Sequence, residues 1–377
     1  MAGTFIPFEL EHYQSLYEHK VRYNLADSSV KCLNTREWLN EAEQQALLDT
    51  GLFYPEVNGT LELRSAIAAL YPNNPSPEQV LVTVGASQAN SMVATTLLEA
   101  GDEVVVLSPG YRQIWGIAKN LGCTVKELRL DPDNNWQLDL NQLNTLVTDR
   151  TKLVAVVNPN NPTGTIFSQA EMEAIVAACA RVGAWLHADE VYRGTERNQA
   201  EETPSFWGMY DKLICTSSLS KAYGLSGLRI GWTISSPEMM QELWRRHEYA
   251  VIAAAAPSMT LATIALQPMK RAQLLERQKQ ISRAGWQVLQ EWIAQQDGLF
   301  SVNDSPATSI AFVRFHLPLS SFEFAERIRQ EASVLVAPGA YLGAEEHLRI
   351  TIGYEAEKVG AALDLVGQIA RKIASQR

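Results

Sequence analysis

Lys221 ends the run Thr216-Ser217-Ser218-Leu219-Ser220-Lys221, behind an apolar stretch and ahead of a glycine-punctuated segment at 222–231. A lysine flanked by serines, with no acidic neighbour, suits Schiff-base chemistry: its amine captures a carbonyl compound as an imine when the surroundings hold its pKa down. A lone lysine among 32 Lys and Arg is ordinarily a solvated charge. The reading therefore rests on the residues that accompany it.

Several companions stand where chemistry is expected, just after apolar runs. Gly85-Ala86-Ser87 opens a helical stretch, aiming backbone N–H groups and a hydroxyl at an anion. Pro109-Gly110-Tyr111 offers an aromatic face, and Asn158-Pro159-Asn160-Asn161-Pro162-Thr163-Gly164 carries two Asn-Pro steps in seven residues. Asp189-Glu190-Val191-Tyr192 follows Trp185-Leu186-His187-Ala188, and Arg229 lies beyond Lys221. Each has a plainer reading: Gly-Ala-Ser serves as a helix cap and Asn-Pro-Thr-Gly as a turn. Asp189 is harder to dismiss, because a carboxylate near the end of a buried strand is costly without a partner, and a protonated pyridine nitrogen would be one.

These positions imply a scaffold. Short β-branched runs at 80–84, 103–107, 124–128, 153–157, 184–188 and 213–216 alternate with helical periodicity at 87–99, 111–121, 138–147 and 169–181. Such alternation predicts a mostly parallel sheet covered on both faces, with ligands at the carboxyl ends of its strands. From about 269 the pattern becomes α+β: a long helix at 269–296, strands at 309–315, 334–337 and 347–351, and helices at 321–331 and 355–373.

Composition narrows the partners. With 32 Lys plus Arg against 42 Asp plus Glu, the net charge is −10, which argues against nucleic acid. Cys32, Cys123, Cys179 and Cys215 are scattered without metal-ligand spacing, so no metal site and a reducing, cytoplasmic setting are expected. No apolar run is long enough for a membrane span, and residues 1–12 lack a secretion signal pattern.

Together these residues resemble the class I/II aminotransferases, pyridoxal-phosphate enzymes of fold type I, over nearly the whole chain. Tyr54 begins a Y-x4-G-x3-LR element similar to the family's N-terminal signature, and Arg349 in His-Leu-Arg-Ile-Thr-Ile-Gly matches its late arginine. The resemblance implies an α/β fold: a large domain over 40–268 with a mostly parallel seven-stranded sheet between helices, and a smaller α+β domain from 1–39 and 269–377. It implies pyridoxal 5′-phosphate as cofactor, with Lys221 as Schiff-base lysine and proton carrier and Asp189 pairing with the pyridinium nitrogen. Asn161 and Tyr192 would bond the ring's 3-oxygen, and Tyr111 would stack on the ring. Gly85, Ala86, Ser87, Ser218, Ser220 and Arg229 would hold the phosphate, with Tyr54 reaching it from the neighbouring subunit of a homodimer. Arg349, with Asn161, would grip the substrate α-carboxylate.

One segment departs from the family. A Leu-x-x-Gly-x-Pro pocket element is replaced by Tyr23-Asn24-Leu25-Ala26-Asp27-Ser28-Ser29-Val30-Lys31, without the glycine or the proline. It reads either as a polar loop or as a remodelled lid with Asp27 and Ser28 facing the substrate. The implied activity is ping-pong transfer of an amino group between an L-amino acid and a 2-oxoacid. A C–S β-lyase, or a cyclase or replacement enzyme acting on a modified amino acid, would use the same cofactor residues. A non-catalytic ligand sensor is disfavoured by the presence of Lys221 and by the absence of room for a DNA-binding module.

Overall fold

In the computed structural model, which describes residues 5–376, the six expected runs are strands: Val80–Thr83 (β1), Glu103–Ser108 (β2), Thr124–Arg129 (β3), Thr151–Val157 (β4), Trp185–Asp189 (β5) and Leu213–Ser218 (β6). A seventh, Gly231–Ile234 (β7), completes a sheet of order β1-β7-β6-β5-β4-β2-β3. Only β7 runs against its neighbours β1 and β6; the remaining pairings are parallel. The mostly parallel seven-stranded sheet is thus present. Residues 1–4 of the expected N-terminal segment and Arg377 lie outside the described residues.

β1, β2 and β7 are buried along their whole length, so apolar residues such as Val80-Leu81-Val82 and Val104 to Leu107 follow one another instead of alternating with polar ones. One apolar cluster, with Val105, Val154, Leu186 and Trp232, covers one face of the sheet; another, with Val104, Leu153, Ile214 and Met92, covers the other. Crossover helices have clear boundaries. Gln169–Val182 starts at a capping box between Ser168 and Glu171 and stops at Gly183, whose φ of 71° is a left-handed cap. That stop turns the chain into β5 and delivers Asp189 to its carboxyl end.

Sheet order reverses between β2 and β4, the kind of switch point where α/β sheets open a crevice at their strand ends. The loops leaving those two strands carry Tyr111 and Asn161.

A second sheet, Ala337–Pro338, His347–Thr351, Ile310–Phe315 and Phe300–Val302 in that order, is antiparallel. It packs with Ser321–Ala332 and Ala356–Ala374 around Phe324, Ile328, Leu363 and Val366. Pro268–Ala294 joins the two cores, since Leu274 and Leu275 belong to the large one and Trp286, Leu289 and Trp292 to the second. The N-terminal segment is divided in the same way. Leu10 and Tyr13 of the helix Glu9–Tyr17 sink into the large core, while Tyr23–Asn24 pairs parallel with Val334–Leu335 and Leu25 enters the second. Asp27 and Ser28 therefore sit at a seam, held from both sides.

Candidate active site

A cavity of about 420 Å³ lies at the strand ends, within the usual range of small-molecule sites. Its lining includes Asp27, Ser28, Ala86, Ser87, Tyr111, Asn161, Asp189, Tyr192, Ser218, Ser220, Lys221 and Arg229. β6 and the turn after it bring Lys221 in from one side. Its Nζ donates to Ser28 Oγ at 2.8 Å and to Ser29 Oγ at 3.4 Å, so two hydroxyls from the N-terminal segment hold the amine.

Opposite, Asp189 is buried at the end of β5. Its Oδ2 accepts from Asn90 Nδ2 at 2.8 Å and its Oδ1 from the Val191 N–H at 3.2 Å. Neither donor carries charge, and burial pushes the carboxyl up to about 6 despite them. His187, two residues earlier on β5, bonds Thr216 Oγ1 through Nε2 at 3.1 Å and is pushed down to about 4 by burial. A void of about 30 Å³ behind Asp189, lined in part by His187 and Gln113, is too small for more than water.

Anion recognition is built at the start of the helix Gly85–Leu97. Gly85 has φ +74°, and a Cβ there would stand 2.3 Å from Arg229 Nη2. Gly231 is as constrained, because its Cβ would lie 2.5 Å from the Ala86 nitrogen. The two glycines let a guanidinium, a helix N-terminus and the Ser87 and Ser218 hydroxyls face one point, a ready phosphate cradle.

Between these ends, Tyr192 Oη is buried and has no partner, and Tyr111 lies along the cavity with its hydroxyl donating to Glu11 Oε1 at 3.0 Å. Asn161 Oδ1 accepts from Arg349 Nη1 at 3.2 Å. Arg349 lies just behind the lining. Its Nη2 donates to Gln14 Oε1 at 2.9 Å and to the Ala26 carbonyl at 2.7 Å, while its Nε is unpaired. Tyr54 stands apart, 82% exposed and outside this lining.

The sequence pattern of the aminotransferase class I and II family matches residues 23–366. The chain belongs to that family. It is 30% identical to a histidinol-phosphate aminotransferase 2 of Haemophilus influenzae, over 86% of this chain and 84% of that one. It is also 30% identical to a capreomycidine synthase of Streptomyces vinaceus, over 78% of this chain and 74% of that one. A solved PLP-dependent aminotransferase of Streptococcus suis superposes with a TM-score of 0.91 at 30% identity, covering 98% and 99% of the two chains. The fold type I assignment follows, as does pyridoxal 5′-phosphate as the cofactor of this aminotransferase.

The residues present fit that cofactor. The orphaned Tyr192 hydroxyl, the Asp189 carboxylate without a cation and the Gly85–Arg229 cradle would each find a partner among its polar groups. Among the described residues no cluster of His, Cys, Asp and Glu is arranged to hold a metal ion.

Four contributors escaped the reading of the sequence. Asn90, which orients Asp189, lies one helical turn after Ser87, and that spacing was an available signal. Glu11, Gln14 and Tyr354 come from distant elements, and nothing local marks them.

Asp189 gives a test that needs no activity. Its folded pKa, about 6, exceeds the ordinary 3.8, so the folded cofactor-free protein holds a proton that the unfolded chain has released. Its contribution to stability falls as pH rises from near 4 to near 6, by on the order of 3 kcal/mol. His187 changes in the opposite sense over much of that range, so the difference between variants is the useful quantity. Asp189→Asn without cofactor is expected to gain on the parent protein across this window in denaturant melts, then to hold its advantage above pH 6. A pH-independent difference would refute the assigned burial.

Proposed function

We propose that this aminotransferase moves an amino group between an L-amino acid and a 2-oxoacid by a ping-pong route, with Lys221 as the Schiff-base lysine and proton carrier. The observation that carries the proposal is the convergence of Lys221, Asp189, Tyr192 and Asn161 on one cavity. Bound pyridoxal phosphate supplies an electron sink for the bond pair released at the substrate Cα. Asp189 holds the charge that keeps the ring nitrogen protonated. Tyr192 Oη and the Asn161 side-chain amide donate to the ring oxygen, and Tyr111 packs along the ring. The Ala86 N–H, Ser87, Ser218, Ser220 and Arg229 hold the phosphate, with Gly85 leaving room for the guanidinium. Arg349 binds the α-carboxylate with Asn161 beside it, and Asp27 and Ser28 face the substrate. Lys221, kept near the reacting carbon by Ser28, takes the Cα proton and returns it one position along.

A homodimer belongs to the same proposal, with Tyr54 completing the partner's phosphate site. Tyr54 lies beside Leu52 and Phe53, which are 92% and 67% exposed, an apolar surface suited to burial against a second copy. We assign 40–268 to a large cofactor-binding domain and 1–39 with 269–377 to a small one. The separate core around Phe324 and Leu363 supports the division, and the N-terminal segment bridges it, with Leu10 and Tyr13 in the large core and Leu25 in the second. Four free cysteines accord with a cytoplasmic location and amino acid metabolism, and among the described residues no helix is long and apolar enough to cross a membrane.

Likeness to a protein named a synthase favours a second reading, a cyclase or replacement enzyme on a modified amino acid. Mixing the loaded enzyme with single amino acids and no oxoacid separates the cases. Transamination is expected to yield one equivalent of 2-oxoacid per site and then stop until an oxoacid is added. Continuous release of ammonia with pyruvate, or of a cyclised product, would contradict it.

A further inference from the structure

Among the described residues six charged ones line the cavity: Glu11, Glu18, Asp27, Asp189, Lys221 and Arg229. On the proposed function, Asp189, Lys221 and Arg229 are committed to the cofactor. The three that remain are all carboxylates. Glu11 and Glu18 share one face of the helix Glu9–Tyr17 and its C-cap with Gln14, at spacings of three and four residues. Asp27 reaches the same space from the seam between the two cores.

Asp27 is the fixed member. Its Oδ1 accepts from the Ser29 N–H at 3.0 Å, an Asx turn, and its Oδ2 accepts from the Tyr354 hydroxyl at 2.9 Å. Burial would raise this carboxyl, but the Lys221 ammonium, Tyr354 and the Ser29 and Ser28 backbone outweigh it and hold the group below the usual range. Among the described residues no Lys, Arg or His forms an ion pair with it. In the working enzyme Lys221 is engaged with the cofactor, and Asp27 then faces the cavity as a half-buried anion without a cation, a costly arrangement unless the ligand brings one.

Position agrees with charge. Ala26, just before Asp27, accepts from Arg349 through its carbonyl at 2.7 Å, and Ser28, just after, accepts from Lys221 at 2.8 Å. Asp27 thus stands between the carboxylate fork and the proton carrier, where a substrate side chain leaves Cα.

We infer that the amino donor carries a cationic side chain, an amine or a guanidinium, with Asp27 as its ion-pair partner and Glu11 and Glu18 drawing it in at the mouth. This rests on the proposed transamination and names its substrate class.

The test is the rate of the first half-reaction of the holoenzyme, read from the loss of the lysine-bound cofactor's colour, with ornithine, lysine and arginine against norvaline, norleucine, citrulline and glutamate. Cationic donors are expected to exceed their neutral analogues about tenfold or more in kcat/KM, and Asp27→Asn to reduce that ratio by about tenfold or more. Comparing the arginine and lysine arms distinguishes guanidinium from amine. Glu18→Gln, at the exposed mouth, guards against a folding failure of the first variant, with the ratio falling about threefold at low salt. A ratio unchanged in both variants, or a preference for glutamate or neutral donors, overturns the inference and leaves transamination standing. Reaction with no amino acid of any class would bring down the proposed transamination and this inference with it.

Discussion

Lys221→Ala, reconstituted with pyridoxal phosphate, is expected to convert amino acids on the order of 10⁴-fold more slowly than the parent enzyme. Among the described residues Lys221 is the only lysine lining the cavity, and the Ser28 and Ser29 hydroxyls leave its amine few other directions. The phosphate contacts proposed for Arg229, Ser87 and Ser218 do not involve Lys221, so the cofactor should still bind, though reversibly. A small primary amine supplied in the buffer should restore part of the rate by replacing the missing base. Stopped-flow absorbance in single turnover checks both statements. A variant that retains more than about a hundredth of the activity would remove Lys221 from the chemistry.

Asp189→Asn is expected to lower kcat by roughly 10²- to 10³-fold with much less effect on cofactor binding, because on the proposed assignment it removes the charge paired with the ring nitrogen and leaves the shape nearly unchanged. The substituted amide can keep its oxygen for the Val191 N–H and donate its NH2 to Asn90 once that side-chain amide turns over to present its unpartnered Oδ1. What it cannot supply is the negative charge that burial makes so costly in the cofactor-free protein. The measurement that separates this from structural damage is the ratio of the two effects. Equal losses in cofactor affinity and kcat would point to a collapsed site. Together with the pH-dependent stability difference of the same variant, this ties one carboxylate to two independent readouts.

The chemistry of this site was legible where it followed strands. Lys221, Asp189, Asn161, Tyr111 and Ala86 all come at or just after the ends of mostly apolar strand runs, and the sheet carries those ends to one edge. β7 was not marked as a strand, because its four residues are embedded in a glycine-punctuated segment and run against the prevailing direction. Phe300–Val302, three residues long, was equally silent. The substrate side of the cavity depends on tertiary contact: Asp27 reads as loop until Tyr354, more than three hundred residues on, bonds it. Gln14 reads as an ordinary helix face until Arg349 donates to it. Periodicity reports which face of an element is buried, and it carries no record of which distant element covers that face.

Borohydride treatment of the cofactor-loaded enzyme, followed by proteolysis and mass spectrometry, tests the central claim most directly. Reduction fixes a lysine imine as a stable amine, so the reduced cofactor is expected on the peptide that contains Lys221, and on no other. Recovery of the label on a different lysine, or of unlabelled Lys221 from protein that had bound the cofactor, would contradict it.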